Sequence, residues 1–391
     1  MGGALDNLCV VDFSRVLAGP YATMVMADLG ATVVKVERPV TGDDTREWGP
    51  PYDASGEATY FLAVNRNKDS LVLDLAEAGD VAIAQELCID ADVVVENFRP
   101  GVMERLGLGY DDLSRRNPGL IYCSITGFGA AAGARFPGYD LLVQALGGLM
   151  SITGDPDGEP QKVGVALVDV LAGLYATVGI LSALQHRNVS GTGQRVEVDL
   201  LTALLASLVN QASAYTAAGV TPRRMGNRHP SIAPYQVFRT GDGVLVLAVG
   251  NDRQFAQLCS VLGTRYLAVD ERFVTNAARV EHRHILQSEL ERALARRAAA
   301  AWAPDLLAAG VPAGVVQDIP AAFRLAEKLG LDPIVRTYRP DGTVVELPRS
   351  PIKLSRTPAT YRSAPPRLGA GGQQERADEP TIANLPRRGT R

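Results

Sequence analysis

Cysteine and histidine are scarce in this chain, four of each in 391 residues, and their placement closes off several kinds of chemistry. Cys9, Cys88, Cys123 and Cys259 lie far apart with no Cys-x-x-Cys pair, so neither a zinc site nor a disulfide framework is expected. His186, His229, His282 and His284 form no His-Glu-x-x-His, and no metal is expected. Basic charge is not in surplus either. The 39 Lys and Arg stand against 43 Asp and Glu, a net charge of −4, which implies no face for nucleic acid. Lysine is confined to Lys35, Lys68, Lys162, Lys328 and Lys353, and in so Arg-rich a chain a single Arg is weak evidence of a site. Residues 1–14 lack the basic and apolar regions of a secretory signal, and Asp6 does not fit the myristoylation pattern, so the cytoplasm is the expected location. There is no Walker A sequence. Where a dinucleotide fold carries Gly-x-Gly-x-x-Gly, this chain has Arg15-Val-Leu-Ala-Gly-Pro20, so no permanently bound NAD or FAD is expected. Gly127-Phe-Gly-Ala-Ala-Ala-Gly133 is a looser variant, but Pro137-Gly138 cuts short any helix behind it, and it reads as a flexible loop.

What is present reads as α/β. Leu8–Phe13, a helix over 21–29 ended by Gly30, and Ala31–Glu37 make a βαβ unit, which implies a parallel sheet. Strands are expected at Leu71–Leu75, Asp92–Glu96, Gly119–Ile125 and Gln194–Leu200, with helices over 80–89, 140–149 and 201–218 and a turn-rich loop over 153–162. The first half is thus a doubly wound α/β domain. From about residue 222 the texture changes to a hairpin, Tyr235–Phe238 with Val244–Val249 around Thr240-Gly-Asp-Gly243, and helices over 252–262 and 284–309. Strand signals return over 335–353. The expected organisation is a discontinuous large domain, 1–222 and 327–391, around a small α+β domain, 223–326. Residues 363–391 carry Pro, Gly, Gln and Arg and little that is apolar, and are expected to be partly mobile.

Asp169 is the one charged residue in the apolar run Val163–Leu184. The run has the length of a membrane span, but a central Asp costs roughly 2.5–3.5 kcal/mol on an insertion scale, and Gly164, Gly173 and Gly179 lower its hydrophobicity further. A buried strand followed by a buried helix over 170–186 explains the run better, and no membrane association is expected. Asp169 then stands at the helix start. There it is a capping carboxylate, a nucleophile, or both, with the helix end holding it ionised. Glu37-Arg38 ends the second strand, where Arg38 is a surface residue or a phosphate contact.

Taken together, Asp12-Phe-Ser-Arg-Val-Leu-Ala-Gly-Pro20, Asp28-Leu-Gly-Ala-Thr-Val-Val-Lys-Val-Glu-Arg-Pro39, Asn65-Arg-Asn-Lys68, Glu96-Asn-Phe-Arg-Pro-Gly101 and Gly138-Tyr-Asp140 resemble the family III CoA-transferases from about Leu8 to about Pro358. Gly42-Asp-Asp-Thr-Arg-Glu-Trp-Gly-Pro-Pro51, Ser231-Ile-Ala-Pro-Tyr-Gln236 and Gly250-Asn-Asp-Arg-Gln-Phe255 look like the succinyl-CoA:glutarate branch. The resemblance implies a Rossmann-like large domain plus a small domain in an interlocked homodimer. It implies acyl-CoA and a small carboxylic acid as substrates, with CoA a substrate and not a bound cofactor. It also implies Asp169 as the acyl-accepting carboxylate, and CoA contacts from Arg15, Val16, Leu17, Ala18, Arg38, Leu73, Asn97, Phe98, Arg105, Tyr139 and Asp140. Trp48, Tyr139, Asn227 and His229 would meet the acid. Arg15 and Arg228 are further candidates for a second carboxylate.

Departures from the family pattern are plain. Leu17 stands where formyl-CoA transferase has glutamine, which argues against oxalate as acceptor. There is no run of four glycines, Gly226-Asn-Arg-His-Pro230 occupies the corresponding region, and Gly369-Ala-Gly-Gly-Gln-Gln374 replaces the usual closing segment. An α-methylacyl-CoA racemase of the same fold would pair the aspartate with a histidine before the Gly-Tyr-Asp position. No His occurs between residues 1 and 185, which argues against it. A non-catalytic CoA-binding protein would leave Asp169 as a cap only.

Overall fold

The computed structural model describes residues 2–370. Contacts divide the chain into two units, one of residues up to 149, 163–220 and from 332 onward, the other of 150–162 and 221–331.

The first unit is built on a parallel sheet. Its strands are β1 (Cys9–Asp12), β2 (Thr32–Glu37), β3 (Lys68–Val72), β4 (Val93–Glu96), β5 (Ile121–Thr126) and β6 (Arg195–Asp199), in the order β3-β2-β1-β4-β5-β6 with every pairing parallel. This is the doubly wound order of dinucleotide-binding folds. Side chains alternate between two cores, as the pleat requires. Val10, Val93, Val95, Ile121 and Cys123 pack with the helices Ala18–Asp28 and Leu167–Ser190. Val11, Val94 and Tyr122 face the opposite way, toward the helix Ala78–Asp90. Burial on both faces is why these strands read as unbroken apolar runs.

β3 begins at Lys68, three residues before the stretch its apolar residues suggest, because its inward positions are polar. Lys68 Nζ donates to Asp12 Oδ2 (3.2 Å), the Pro20 carbonyl (2.8 Å) and Asn65 Oδ1 (3.0 Å). Ser70 Oγ donates to Glu37 Oε1 at 2.6 Å. No strand forms at the start of the run from Val163. The Val163 N–H instead donates to the Gln144 side chain at 2.9 Å, and the helix begins at Leu167. By length and composition that helix could cross a membrane. Here Val168, Ala172, Ala176, Ile180 and Ala183 are buried in the core, one stripe at helical spacing. The helix expected over 201–218 is two, Leu200–Ser207 and Val209–Ala218, broken where Val209 takes φ 44°.

The antiparallel pair Ile334–Tyr338 and Val344–Pro348 also belongs to the first unit. Residues 363–370, expected to be mobile, are held in place. Ala364 is buried, Asn67 Oδ1 accepts from the Arg362 and Ser363 N–H groups (2.6 and 3.2 Å), and Gly369 N–H donates to Ser70 Oγ at 3.0 Å. The remainder of the expected tail, 371–391, lies outside the described residues.

The second unit is α+β. An antiparallel sheet of β7 (Tyr235–Arg239), β8 (Val244–Ala248) and β9 (Ala313–Val315) packs against helices that include Asp252–Leu262, Arg283–Leu294 and Ala299–Ala308. The helix expected over 284–309 is thus two, and Trp302 Nε1 donates back to the Leu294 carbonyl at 2.9 Å. The loop 153–162, placed by sequence in the large domain, belongs here instead. Gly226 N–H donates to the Gly154 carbonyl (3.0 Å), and Arg224 donates to the carbonyls of Asp155 (3.1 Å) and Gly158 (3.0 Å).

Candidate active site

The strand order reverses between β1 and β4, so the loops leaving their carboxyl ends diverge and open a crevice, the position where doubly wound sheets bind ligands. A cleft of about 200 Å³ lies there, lined by Arg15–Ala18 after β1, Asn97–Pro100 after β4, Thr126 at the end of β5 with Gly127–Gly129, Gly133, Ala134 and Phe136–Asp140 after it, together with Asp44 and Asp169. That volume is smaller than a drug-sized pocket.

The loop after β1 is tied to the loop after β4. Arg15 N–H donates to Asn97 Oδ1 at 2.9 Å, and Asn97 Nδ2 returns a bond to the Arg15 carbonyl at 2.7 Å. The Arg15 guanidinium lies over Phe98, 5.1 Å from the ring centre, and meets Asp44 at 3.3 Å. Arg38 reaches the other oxygen of Asp44 at 2.7 Å. Phe98 is set by Glu96, which accepts its N–H at 2.8 Å. Burial pushes Glu96 up to about 7. The loop after β5 closes at its base because two glycines meet: a Cβ on Gly127 would lie 2.4 Å from the Gly138 Cα. Only residues without side chains permit that approach.

Asp169 is the third residue of the helix Leu167–Ser190, not the residue before it, and it does not cap the helix. The cap comes from a different helix. Asp140, at the start of Asp140–Leu146, accepts the Val168 N–H at 2.8 Å through Oδ1 and the Gln144 amide at 2.6 Å through Oδ2. Among the described residues no hydrogen bond reaches the Asp169 carboxylate, which is only 9% exposed. Burial, with the charge of Asp140 second, pushes its carboxyl up from 3.8 to about 7. The expectation that the helix end keeps it firmly ionised is therefore corrected. Burial outweighs the helix end, because the charge that acts on the carboxyl, that of Asp140, is negative and among the described residues no donor reaches it.

Of the residues put forward from sequence, Arg15, Val16, Leu17, Ala18, Asn97, Phe98, Tyr139, Asp140 and Asp169 line this one cleft. Arg38 stands behind it, joined through Asp44. Leu73 is a core residue, 2% exposed among Val11, Phe13 and Val36. Arg105 is exposed at the end of the short helix Val102–Arg105 and does not line the cleft. Trp48 packs edge-on to Tyr60 with ring centres 5.3 Å apart. Asn227 and His229 belong to the second unit, where His229 accepts from Ser231 N–H at 3.1 Å.

Sequence reasoning missed Tyr60, Asp43 and Asp44. Tyr60 packs against the buried cluster of Leu17, Met24 and Val64. Burial, then the negative charges of Asp169, Asp140 and Asp43, pushes its phenol up to about 12. Asp43 and Asp44 were visible only as letters within a longer motif. Among the described residues no cluster of His, Cys, Asp and Glu could hold a metal ion.

Comparison with known proteins gives the family and agrees with the fold. A family model described as CoA-transferase family III matches residues 5–371. The succinate–glutarate CoA-transferase of Agrobacterium fabrum is 44% identical over 392 residues, 97% of this chain and 96% of that protein. The acetyl-CoA:oxalate CoA-transferase of Acetobacter aceti is 42% identical over 355 residues, 90% of each. The crystal structure of a CAIB/BAIF family protein from Brucella suis matches with a TM-score of 0.84 at 42% identity, over 95% of this chain and 98% of that one.

Proposed function

This chain belongs to CoA-transferase family III, and from that membership we propose that it moves CoA from an acyl-CoA such as succinyl-CoA to a dicarboxylic acid, with Asp169 as the covalent relay. The observation that carries the proposal is Asp169 itself, a buried carboxylate free of hydrogen bonds at the crevice of the sheet. A carboxyl pushed up to about 7 is half ionised at neutral pH. It is also more basic, and so more nucleophilic, than an exposed one.

The Asp169 carboxylate attacks the thioester carbonyl, the C–S bond breaks, and CoA thiolate leaves a mixed anhydride. The thiolate then attacks the aspartyl carbonyl, which releases the donor acid and leaves an aspartyl-CoA thioester. The incoming carboxylate attacks that thioester, and the thiolate finally attacks the acceptor's carbonyl, which returns Asp169. One thioester replaces another, so the exchange balances without another reactant. Leu17, Phe98 and Phe128 in the cleft wall support the exclusion of water, which would hydrolyse the anhydride. Arg15, Asn97, Phe98 and Tyr139 are the proposed CoA contacts, and Arg38 would meet a phosphate. Trp48 would bound the acid through Tyr60. A homodimer is part of the proposal, supported by the helix Val209–Ala218, which has no buried residue although it carries Val209 and Tyr215.

Two relatives are named for different acceptors, glutarate and oxalate. Leu17 offers no polar group to a short diacid at the cleft, and we favour the longer one. The test is trapping. Acyl-CoA with hydroxylamine should label Asp169, detected by mass spectrometry, and Asp169→Ala should not transfer CoA. An Asp169→Ala enzyme as fast as the parent would sink the mechanism. Glutarate and oxalate compared with succinyl-CoA as donor decide the acceptor.

A further inference from the structure

Asp43 takes no part in the chemistry above, yet it touches the strained residue of the loop after β1. Val16 has φ +71°, a region that branched residues avoid. Its N–H donates to both oxygens of Asp43 at 3.3 Å. Asp43 Oδ2 meets Lys35 Nζ at 2.8 Å with both side chains fully buried, and Lys35 Nζ also donates to the Ser14 carbonyl at 2.8 Å. One buried ion pair thus holds the backbone on both sides of Arg15. A third arm reaches the turn Asp44–Glu47, since Asp43 Oδ1 accepts from Thr45 N–H at 2.9 Å and Thr45 Oγ1 at 2.7 Å. That turn presents Asp44 to Arg15 and Arg38. Burial alone would raise the Asp43 carboxyl, but Lys35 and Thr45 outweigh it and hold it near 2, so the acceptor stays charged.

We propose that Asp43, paired with Lys35, is a positioning residue for thioester binding, which keeps Val16 left-handed in the free protein and so fixes Arg15 and Leu17 before substrate arrives. The inference rests on the proposed CoA site at this loop. Preorganisation of this kind lowers the ordering cost of binding and leaves the chemical step alone. An ion pair that only stabilised the fold would produce no such division.

The test uses the full chain, with free CoA in calorimetry and succinyl-CoA in steady-state transfer. Asp43→Asn should raise both the Kd for CoA and the KM for succinyl-CoA about fivefold to tenfold, the net worth of one ordinary hydrogen bond, since Asn still accepts but carries no charge, with kcat within about twofold. Adding Val16→Gly to that variant should recover most of the loss, since Gly takes a positive φ without strain. An unchanged KM, a loss confined to kcat, or a loss that Val16→Gly does not recover overturns the inference. If Asp43→Asn does not fold, Thr45→Val removes one hydrogen bond from Asp43 and no charge. It should raise KM about twofold to threefold, recovered by Val16→Gly, and the absence of either effect is equally decisive. A parent that transfers CoA through Asp169 while Asp43→Asn keeps the parent's KM overturns this inference alone. A parent that does not bind CoA overturns the functional reading, and this one with it.

Discussion

A buried carboxyl that titrates near neutrality should make the protein's stability depend on pH in a defined window, and Asp169→Asn should remove the share of that dependence that Asp169 contributes, leaving that of Glu96. The folded group titrates at about 7 and its ordinary value is 3.8. The folded state therefore binds the proton more tightly than the unfolded chain does. Below pH 3.8 both states hold the proton and Asp169 and Asn are equivalent in charge. As pH rises the unfolded chain gives up its proton first, so the parent loses stability at about 1.4 kcal/mol per pH unit until the folded group ionises near 7. Across the whole interval the loss reaches about 4 kcal/mol as an upper figure. Asp169→Asn should thus equal the parent near pH 4 and exceed it by up to about 4 kcal/mol at about pH 8. Urea denaturation of the two proteins at intervals between about pH 4 and pH 8 measures the difference directly. A gap that stays constant across that range, or a variant less stable than the parent at its alkaline end, would refute the reasoning that burial sets the state of this carboxyl. Ionisation of the same group should appear in transfer as a kcat/KM limb that rises through about pH 7, and Asp140→Asn should move it to lower pH. Asn can still accept the Val168 N–H while taking away the second negative charge.

Two further perturbations test the scaffold. In Gly173→Ala the new Cβ would lie 2.6 Å from the Ala18 carbonyl oxygen, so the helices Ala18–Asp28 and Leu167–Ser190 must part. A loss of about 1–3 kcal/mol in denaturation is expected, with a fall in kcat/KM because Ala18 and Asp169 both line the cleft. Arg279 is fully buried, donates to the carbonyls of Ala233 (2.7 Å) and Phe273 (2.9 Å) and to Asp252 (2.6 Å), and lies 4.6 Å from the Phe255 ring centre. Arg279→Ala orphans those acceptors and should cost about 3–5 kcal/mol. Limited proteolysis should then cut first within 221–331, the larger segment of that unit.

What could be read from the chain follows a physical line. β1, β2, β4 and β5 were legible because both faces are covered, which forces continuous apolar runs. β3 was misplaced because its inward residues are Lys68 and Ser70, whose burial makes sense only once Asp12, Asn65 and Glu37 are seen beside them. The break between Leu294 and Ala299 was not legible, since Ala, Arg and Leu favour helix throughout and the bend is fixed by tertiary contact at Trp302. The cleft residues after β1 and β4 came from a family pattern, and the structure brings nine of the residues put forward to one opening.

Asp169 shows where one-dimensional reasoning reaches its end. A lone carboxylate at the head of a helix has an obvious local use, and from sequence Asp169 reads as a cap, a nucleophile, or both. Asp140, 29 positions earlier in the chain, takes the capping role through a tertiary contact at Val168. The exchange has a chemical consequence. A capping carboxylate gives up an oxygen to backbone amides and is held acidic by them, whereas an uncapped one keeps both oxygens free and becomes more basic as it is buried. The same negative charge that relieves Asp169 of capping also raises its proton affinity. A crevice that other doubly wound folds use to hold phosphate on backbone amides is here walled by loops tied to one another through Asn97, and its lining includes the buried carboxyl of Asp169.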